Sequence, residues 1–132
     1  MKSILIVDDD VMFRDVVRMR LTAAGYQTIV AGGVEQAWEL VKVHRPDVVL
    51  LDLVMPEVDG VVFLRRLRAD PSLAATPVIV VSGLSFMTLT RAAEQLGIQS
   101  QLIKSRFSLG ELVQRVTSLL PDRCPAPVTA AS

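Results

Sequence analysis

No run of apolar residues in this sequence approaches the roughly 18 needed to cross a bilayer. The run after "MKS" lacks the longer apolar region and small-residue cleavage site of a signal peptide. A single cysteine, Cys124, excludes an internal disulfide and reads as incidental in the tail, which fits a reducing cytoplasm. Charge of one sign is missing too: 14 Lys+Arg balance 14 Asp+Glu, and no basic cluster lines a helix face. The footprint of direct nucleic-acid binding is therefore absent. These absences lead us to expect a soluble cytoplasmic protein with neither membrane nor nucleic acid as a direct partner. What is present, 51% hydrophobic and 21% charged residues over 132 positions, suits one globular domain.

Five short β-branched runs punctuate the chain: "SILIV" at 3–7, "QTIVA" at 27–31, "DVVLLDL" at 47–53, "PVIVV" at 77–81 and "SQLIK" at 100–104. Their nearly continuous apolar character is that of strands buried on both faces of a parallel sheet. Helical periodicity fills the gaps. From Val11 to Ala24, Phe13, Val16, Val17, Leu21 and Ala24 share a face and leave Arg14, Arg18 and Arg20 solvated; in "VEQAWELVKVH", Val34, Ala37, Trp38 and Val41 recur at helical spacing, which makes Trp38 a core residue. Further helices are expected over 59–69, 85–96 and from Ser108 to Leu120, the last opened by the S-x-x-E capping box of Ser108 and Glu111. Domain boundaries follow at 1–120, with "PDRCPAPVTAAS" at 121–132 expected to be a disordered tail. The pattern is (βα)₅, a doubly wound α/β fold whose common strand order is 2-1-3-4-5.

That order places the ligand crevice beyond the carboxyl ends of strands 1 and 3, where Asp8, Asp9 and Asp52 fall. Like charges 4 Å apart repel by about 4 kcal/mol at an effective dielectric near 20. Three carboxylates on one rim therefore call for a cation, and hard oxygen donors at an open site suit Mg²⁺. Asp10, the third acid of "DDD", sits at an N-cap position with Val11 opening the helix.

"DD" after strand 1, "LLDLVMPEVDG" across strand 3, "VVSG" after strand 4 and "LIK" after strand 5 occur in a characteristic order and spacing. Over roughly residues 2–120 the chain thereby resembles the receiver domain of two-component response regulators, a flavodoxin-like fold. The resemblance implies that Asp52 accepts a phosphoryl group from a histidine kinase or histidine phosphotransfer protein. It implies further that Asp8, Asp9, Asp52 and the Val54 carbonyl hold Mg²⁺, that Lys104 contacts a phosphoryl oxygen, and that the Ser82 hydroxyl bonds another once the acyl phosphate has formed. Such a domain is no metabolic enzyme; it catalyses its own phosphorylation and slow dephosphorylation. It then switches a downstream target protein through the helix 4, strand 5 and helix 5 surface, with room for a phosphorylation-dependent homodimer. No output domain follows Leu120, so the chain reads as a stand-alone receiver, although one cut from a longer chain would read the same way.

Several positions depart from the usual pattern. Gln101 stands where many receivers carry a switching aromatic, leaving an amide that could trade hydrogen-bond partners. Ser105 replaces the proline after the lysine, which implies a rearranged trans loop or a strained cis bond, and Arg106 lengthens that loop. Val54 and Leu84 are apolar where polar residues often position attacking water, so slow loss of the phosphoryl group is expected. Phe86 and Met87 are candidates for exposed partner contacts, Met55, Pro56 and Gly60 shape the loop after Asp52, and His44 is a surface residue rather than a phosphodonor. Two rivals remain: a receiver-shaped module that is never phosphorylated, and a haloacid dehalogenase-like phosphohydrolase built on Asp8 and Asp10. The second needs a further acidic pair, for which only Glu111 and Asp122 are on offer.

Overall fold

The computed structural model describes residues 2–55, 59–82, 87–104 and 106–120, with the backbone alone for Met87 and Thr88. Strands β1 (Ser3–Val7), β2 (Gln27–Ala31), β3 (Val48–Asp52), β4 (Val78–Ser82) and β5 (Ser100–Ile103) alternate with helices α1 (Val11–Ala23), α2 (Val34–His44), α3 (Gly60–Ala69), α4 (Met87–Leu96) and α5 (Leu109–Leu119). The strands pair in parallel in the expected order β2-β1-β3-β4-β5. No helix among the described residues is long and apolar enough to cross a membrane. Pro56, Leu84, Phe86, the Lys104-Ser105 peptide, the Met87 side chain and the tail at 121–132, with Cys124 and Asp122, lie outside the described residues.

Strand alternation splits the core into two layers. Leu5, Val7, Val49, Leu51, Val78 and Val80 face α2, α3 and α4, packing on Ala37, Phe63, Leu67 and Ala93. Ile4, Ile6, Val48, Leu50, Ile79, Val81 and Leu102 face α1 and α5, packing on Val17, Leu21, Leu112 and Val116. Continuous apolar burial holds for β1, β3 and β4. It fails for β2 and β5, which are mostly half-exposed because each is an edge strand with one neighbour. Trp38 is half-buried, standing edge-on to Phe63 with ring centroids 6.4 Å apart.

Helix α1 corrects two expectations. Its inward stripe is the buried Val17 and Leu21 with the partly buried Phe13, at i, i+4 and i+8 from Phe13, which turns Val16 outward to 46% exposure. The same rotation brings Arg14 inward, half-buried, with Nη1 donating to the Asp8 carbonyl at 3.2 Å. Gly32 makes the room, since a Cβ there would stand 2.9 Å from that nitrogen. His44 is exposed at the end of α2, as expected.

Local sequence sets the helix starts. Asp10 Oδ1 accepts from the Met12 and Phe13 amides at 3.0 and 3.2 Å, Asp59 from Val61 at 2.9 Å, and Ser108 Oγ from Glu111 at 3.1 Å. The capping box closes on one side only. The Glu111 carboxylate turns to Arg115 at 3.2 Å, an i, i+4 charge pair that outcompetes a neutral N–H donor.

Two glycines in first helical turns make opposite demands. Gly60 packs its backbone against β3, its amide donating to the Leu53 carbonyl at 2.9 Å. A Cβ there would overlap the Asp52 carbonyl oxygen and stand 3.0 Å from Leu53 Cα, whereas at Gly110 it would meet only Ser108 Oγ at 3.8 Å. Gly60→Ala is therefore expected to lower unfolding stability by about 1–3 kcal/mol. Gly110→Ala should raise it by about 0.5–1 kcal/mol through helix propensity and a less flexible unfolded chain. Urea denaturation of the two variants checks the opposite signs.

Candidate functional site

The site is assembled by alternation along three strands. Asp8 continues the Ile4, Ile6 face of β1, Asp52 the Val48, Leu50 face of β3, and Lys104 the Leu102 face of β5. All three emerge on the α1/α5 side of the carboxyl rim. Asp8 and Asp52 are buried, at 2% and 3% exposure, while Asp9 is exposed. One carboxylate oxygen from each of Asp8, Asp9 and Asp52 lies within 4.8 Å of the others.

The Lys104 ammonium spans the two buried acids, 3.3 Å from Asp52 Oδ2 and from Asp8 Oδ1, and 3.1 Å from Asp8 Oδ2. Backbone donors hold the other sides. Asp10 N–H reaches Asp8 Oδ1 at 2.8 Å, and Val54 N–H reaches Asp52 Oδ1 at 3.0 Å. Two residues that sequence reasoning did not assign to the site support it. The Phe13 ring lies beneath the ammonium, 4.9 Å from its centroid, and is itself braced edge-on by Phe107. Arg14 fixes the Asp8 carbonyl. The helical spacing that made Phe13 apolar core could not reveal this, because Lys104 is 91 positions away in the chain and meets it only through the α1/α5 layer.

Burial pushes the Asp52 carboxyl up to about 6; the Val54 amide pulls down, the Asp8 charge adds to the rise, and Lys104 opposes it. Burial also raises Asp8, against the Asp10 amide and Lys104. Burial pulls the Lys104 ammonium down, yet its hydrogen bond to Asp8 and the Asp52 charge outweigh this and hold it above its usual value. One ammonium thus faces two buried carboxylates and a third at the rim. Asp8 Oδ2 is buried and takes no hydrogen bond among the described residues, the ammonium beside it being out of line. An excess of anionic hard oxygens, one of them without a donor among the described residues, makes Asp8, Asp9 and Asp52 a group that could hold a metal ion.

The other expected site residues divide. Ser82 is buried at the end of β4, its hydroxyl 3.3 Å from that of Thr90 in α4. Its carbonyl accepts the Lys104 amide at 2.9 Å. Val54 is half-buried beside Asp52. Gln101 follows the opposite alternation and lines a concavity with Glu94 and Ile98. Arg106 is exposed, with its amide on the Ile103 carbonyl at 2.8 Å. Glu111, which a phosphohydrolase would need at the pocket, is engaged with Arg115 instead.

Because the Asp52 pKa is raised in the folded state, that state binds more protons than the unfolded chain between about pH 4 and 6, and stability falls as pH rises through this window. In metal-free buffer at pH 7.5, Asp52→Asn should therefore unfold about 1–3 kcal/mol less readily than wild type. The advantage should vanish towards pH 4, as denaturant midpoints at a series of pH values would show.

The model of the response regulator receiver domain matches residues 4–117. The chain is 32% identical over 119 residues to the probable transcriptional regulator ycf27 of Cyanophora paradoxa, covering 90% of this chain and 48% of that protein. It is 31% identical over 121 residues to the polar-differentiation response regulator DivK of Brucella anthropi, covering 92% and 98%. The Francisella response regulator 1452 receiver domain superposes with a TM-score of 0.81 at 30% identity, covering 92% and 98%. The chain spans about half the length of the first curated relatives it matches, and nearly all of DivK. The carboxylate rim, the β2-β1-β3-β4-β5 sheet and these matches identify the chain as a member of the response regulator receiver domain family of two-component systems.

Proposed function

We propose that this receiver accepts a phosphoryl group on Asp52 from a histidine kinase or histidine phosphotransfer protein and relays its state to a target protein through α4, β5 and α5. The observation that carries this reading is the Asp52 carboxylate itself, buried yet flanked by Lys104, the Val54 amide and the acids Asp8 and Asp9. With a pKa near 6 it is ionised at neutral pH and can act as nucleophile. A carboxylate oxygen of Asp52 forms a bond to phosphorus as the P–N bond of the donor phosphohistidine breaks, and the imidazole leaves with that electron pair. When bound by Asp8, Asp9, Asp52 and the Val54 carbonyl, Mg²⁺ would offset the charge that otherwise keeps a dianionic phosphoryl group from an anionic carboxylate. Lys104, held by Asp8 and the Phe13 ring, stays beside the incoming oxygens as a fixed positive charge.

The surface of α1 supports a protein donor. Met12, Val16 and Met19, at helical spacing in α1, are exposed apolar residues, 79%, 46% and 68% exposed, and Met12 follows Asp9 by three positions in the chain. Neither the pattern of a cytoplasmic messenger nor phosphorylation-dependent pairing of two copies conflicts with this face, and both belong to the proposal.

The proposal is tested with the full chain, Mg²⁺ and phosphoramidate or acetyl phosphate. Intact mass should reveal one phosphoryl adduct, lost in Asp52→Ala and with EDTA; an adduct that persists in Asp52→Ala would overturn the assignment. Once loaded, the wild type should release phosphate several-fold more slowly than Val54→Asn/Leu84→Glu, in which polar side chains admit and orient water. Equal decay rates would remove the role given to Val54 and Leu84.

A further inference from the structure

In the unphosphorylated structure the Ser82 hydroxyl is turned towards α4. By strand alternation it shares the face of Val78 and Val80, towards α4, whereas Asp8, Asp52 and Lys104 share the opposite one. Its hydroxyl accordingly lies 3.3 Å from Thr90 Oγ1, both residues being only 1% exposed. Thr90 interrupts an otherwise apolar stripe of α4, with Ala93 in the core and Leu89 and Leu96 packed against it. At the far end of the helix, Arg68 donates to the Leu96 and Gly97 carbonyls at 2.7–3.2 Å, and to the Ala74 and Thr76 carbonyls at 3.0 and 2.8 Å. Helix α4 is thus moored to α3 and the loop before β4 at its C-terminus, and to the end of β4 through the Ser82 and Thr90 hydroxyls.

We propose that Thr90 is the positioning residue that couples the Asp52 site to α4, by holding the Ser82 hydroxyl until a phosphoryl group claims it. The inference rests on the phosphoacceptor reading of Asp52. The Ser82 hydroxyl cannot point at Thr90 and across the rim at Asp52 in one rotamer, so the two contacts exclude each other. Release of Ser82 removes the contact that ties α4 to the end of β4, which frees the N-terminal half of the helix to move about the Arg68 mooring. By linkage, whatever stabilises the displaced helix also stabilises phosphorylation. Two adjacent hydroxyls, rather than an aromatic on β5, then carry the signal, which accommodates Gln101 at that position.

The test compares Thr90→Val, which keeps the volume and loses the hydroxyl, with Thr90→Ser, which keeps the hydroxyl, each alone and combined with Ser82→Ala. Thr90→Ala replaces the valine variant where thermal unfolding shows that valine impairs the fold. With phosphoramidate and Mg²⁺, freeing Ser82 in Thr90→Val should speed formation of the mass adduct by about 2- to 10-fold, the factor for one net hydrogen bond. Thr90→Ser should match wild type, and the valine effect should disappear in the Ser82→Ala background. In ¹⁵N spectra of unphosphorylated Thr90→Val, amides early in α4 should shift towards their phosphorylated positions while Leu96 and Gly97 stay in place. Normal phosphorylation of wild type with no difference in Thr90→Val, or a valine effect that survives in Ser82→Ala, overturns the coupling and leaves the phosphoacceptor reading intact. Absence of any adduct in the wild type overturns both.

Discussion

The contact between the Lys104 ammonium and the buried carboxylates of Asp8 and Asp52 constrains the rest of the rim. The partners lie 96 and 52 positions apart in the chain and meet only when β1, β3 and β5 end at the same level with the same face turned to α1 and α5. A slip of one residue in any of these strands would send its charged side chain to the opposite layer and leave the others buried without compensation. The surroundings read as supports for that contact. The Asp10 and Val54 amides occupy one oxygen of each acid, the Phe13 ring underlies the ammonium, and Gly60 lets the backbone of α3 press against Asp52.

These supports do not neutralise the site. Burial raises both acids, and one lysine does not offset two buried carboxylates with a third at the rim. The fold tolerates an arrangement that opposes its own stability, as is common where a group must remain reactive. The same excess of negative charge that costs stability is what would draw a cation to the rim, and an ionised, poorly solvated Asp52 is the form that the proposed phosphoryl transfer requires. Stability and chemistry draw on one electrostatic imbalance with opposite signs.

The sheet also separates two jobs. Its α1/α5 side carries the acids and the lysine. Its other side carries Ser82, Thr90 and Gln101, where β4 and β5 face α4. A parallel strand buried on both faces can hold adjacent residues that answer to different helices, and β4 does so at Val81 and Ser82. The proposed relay needs a rotation of one side chain across that boundary, not a rearrangement of the core.

Much of this was legible in the sequence because it is local or periodic. Strand runs, helix spacing, the Asp10 and Ser108 caps, and the convergence of Asp8, Asp9 and Asp52 at the switch point follow from alternation, helical pitch and the strand order those imply. Family resemblance added Lys104. Contacts between layers were not legible: Phe13 beneath Lys104, Arg14 on the Asp8 carbonyl, and Thr90 on Ser82 join residues whose separations carry no periodic signal. The sequence by itself determined which side chains stand at the carboxyl rim, because strand ends and turn residues are written in neighbouring positions. Only the tertiary structure decided which charge, ring or hydroxyl answers each one, because that depends on how the helices seat against the sheet.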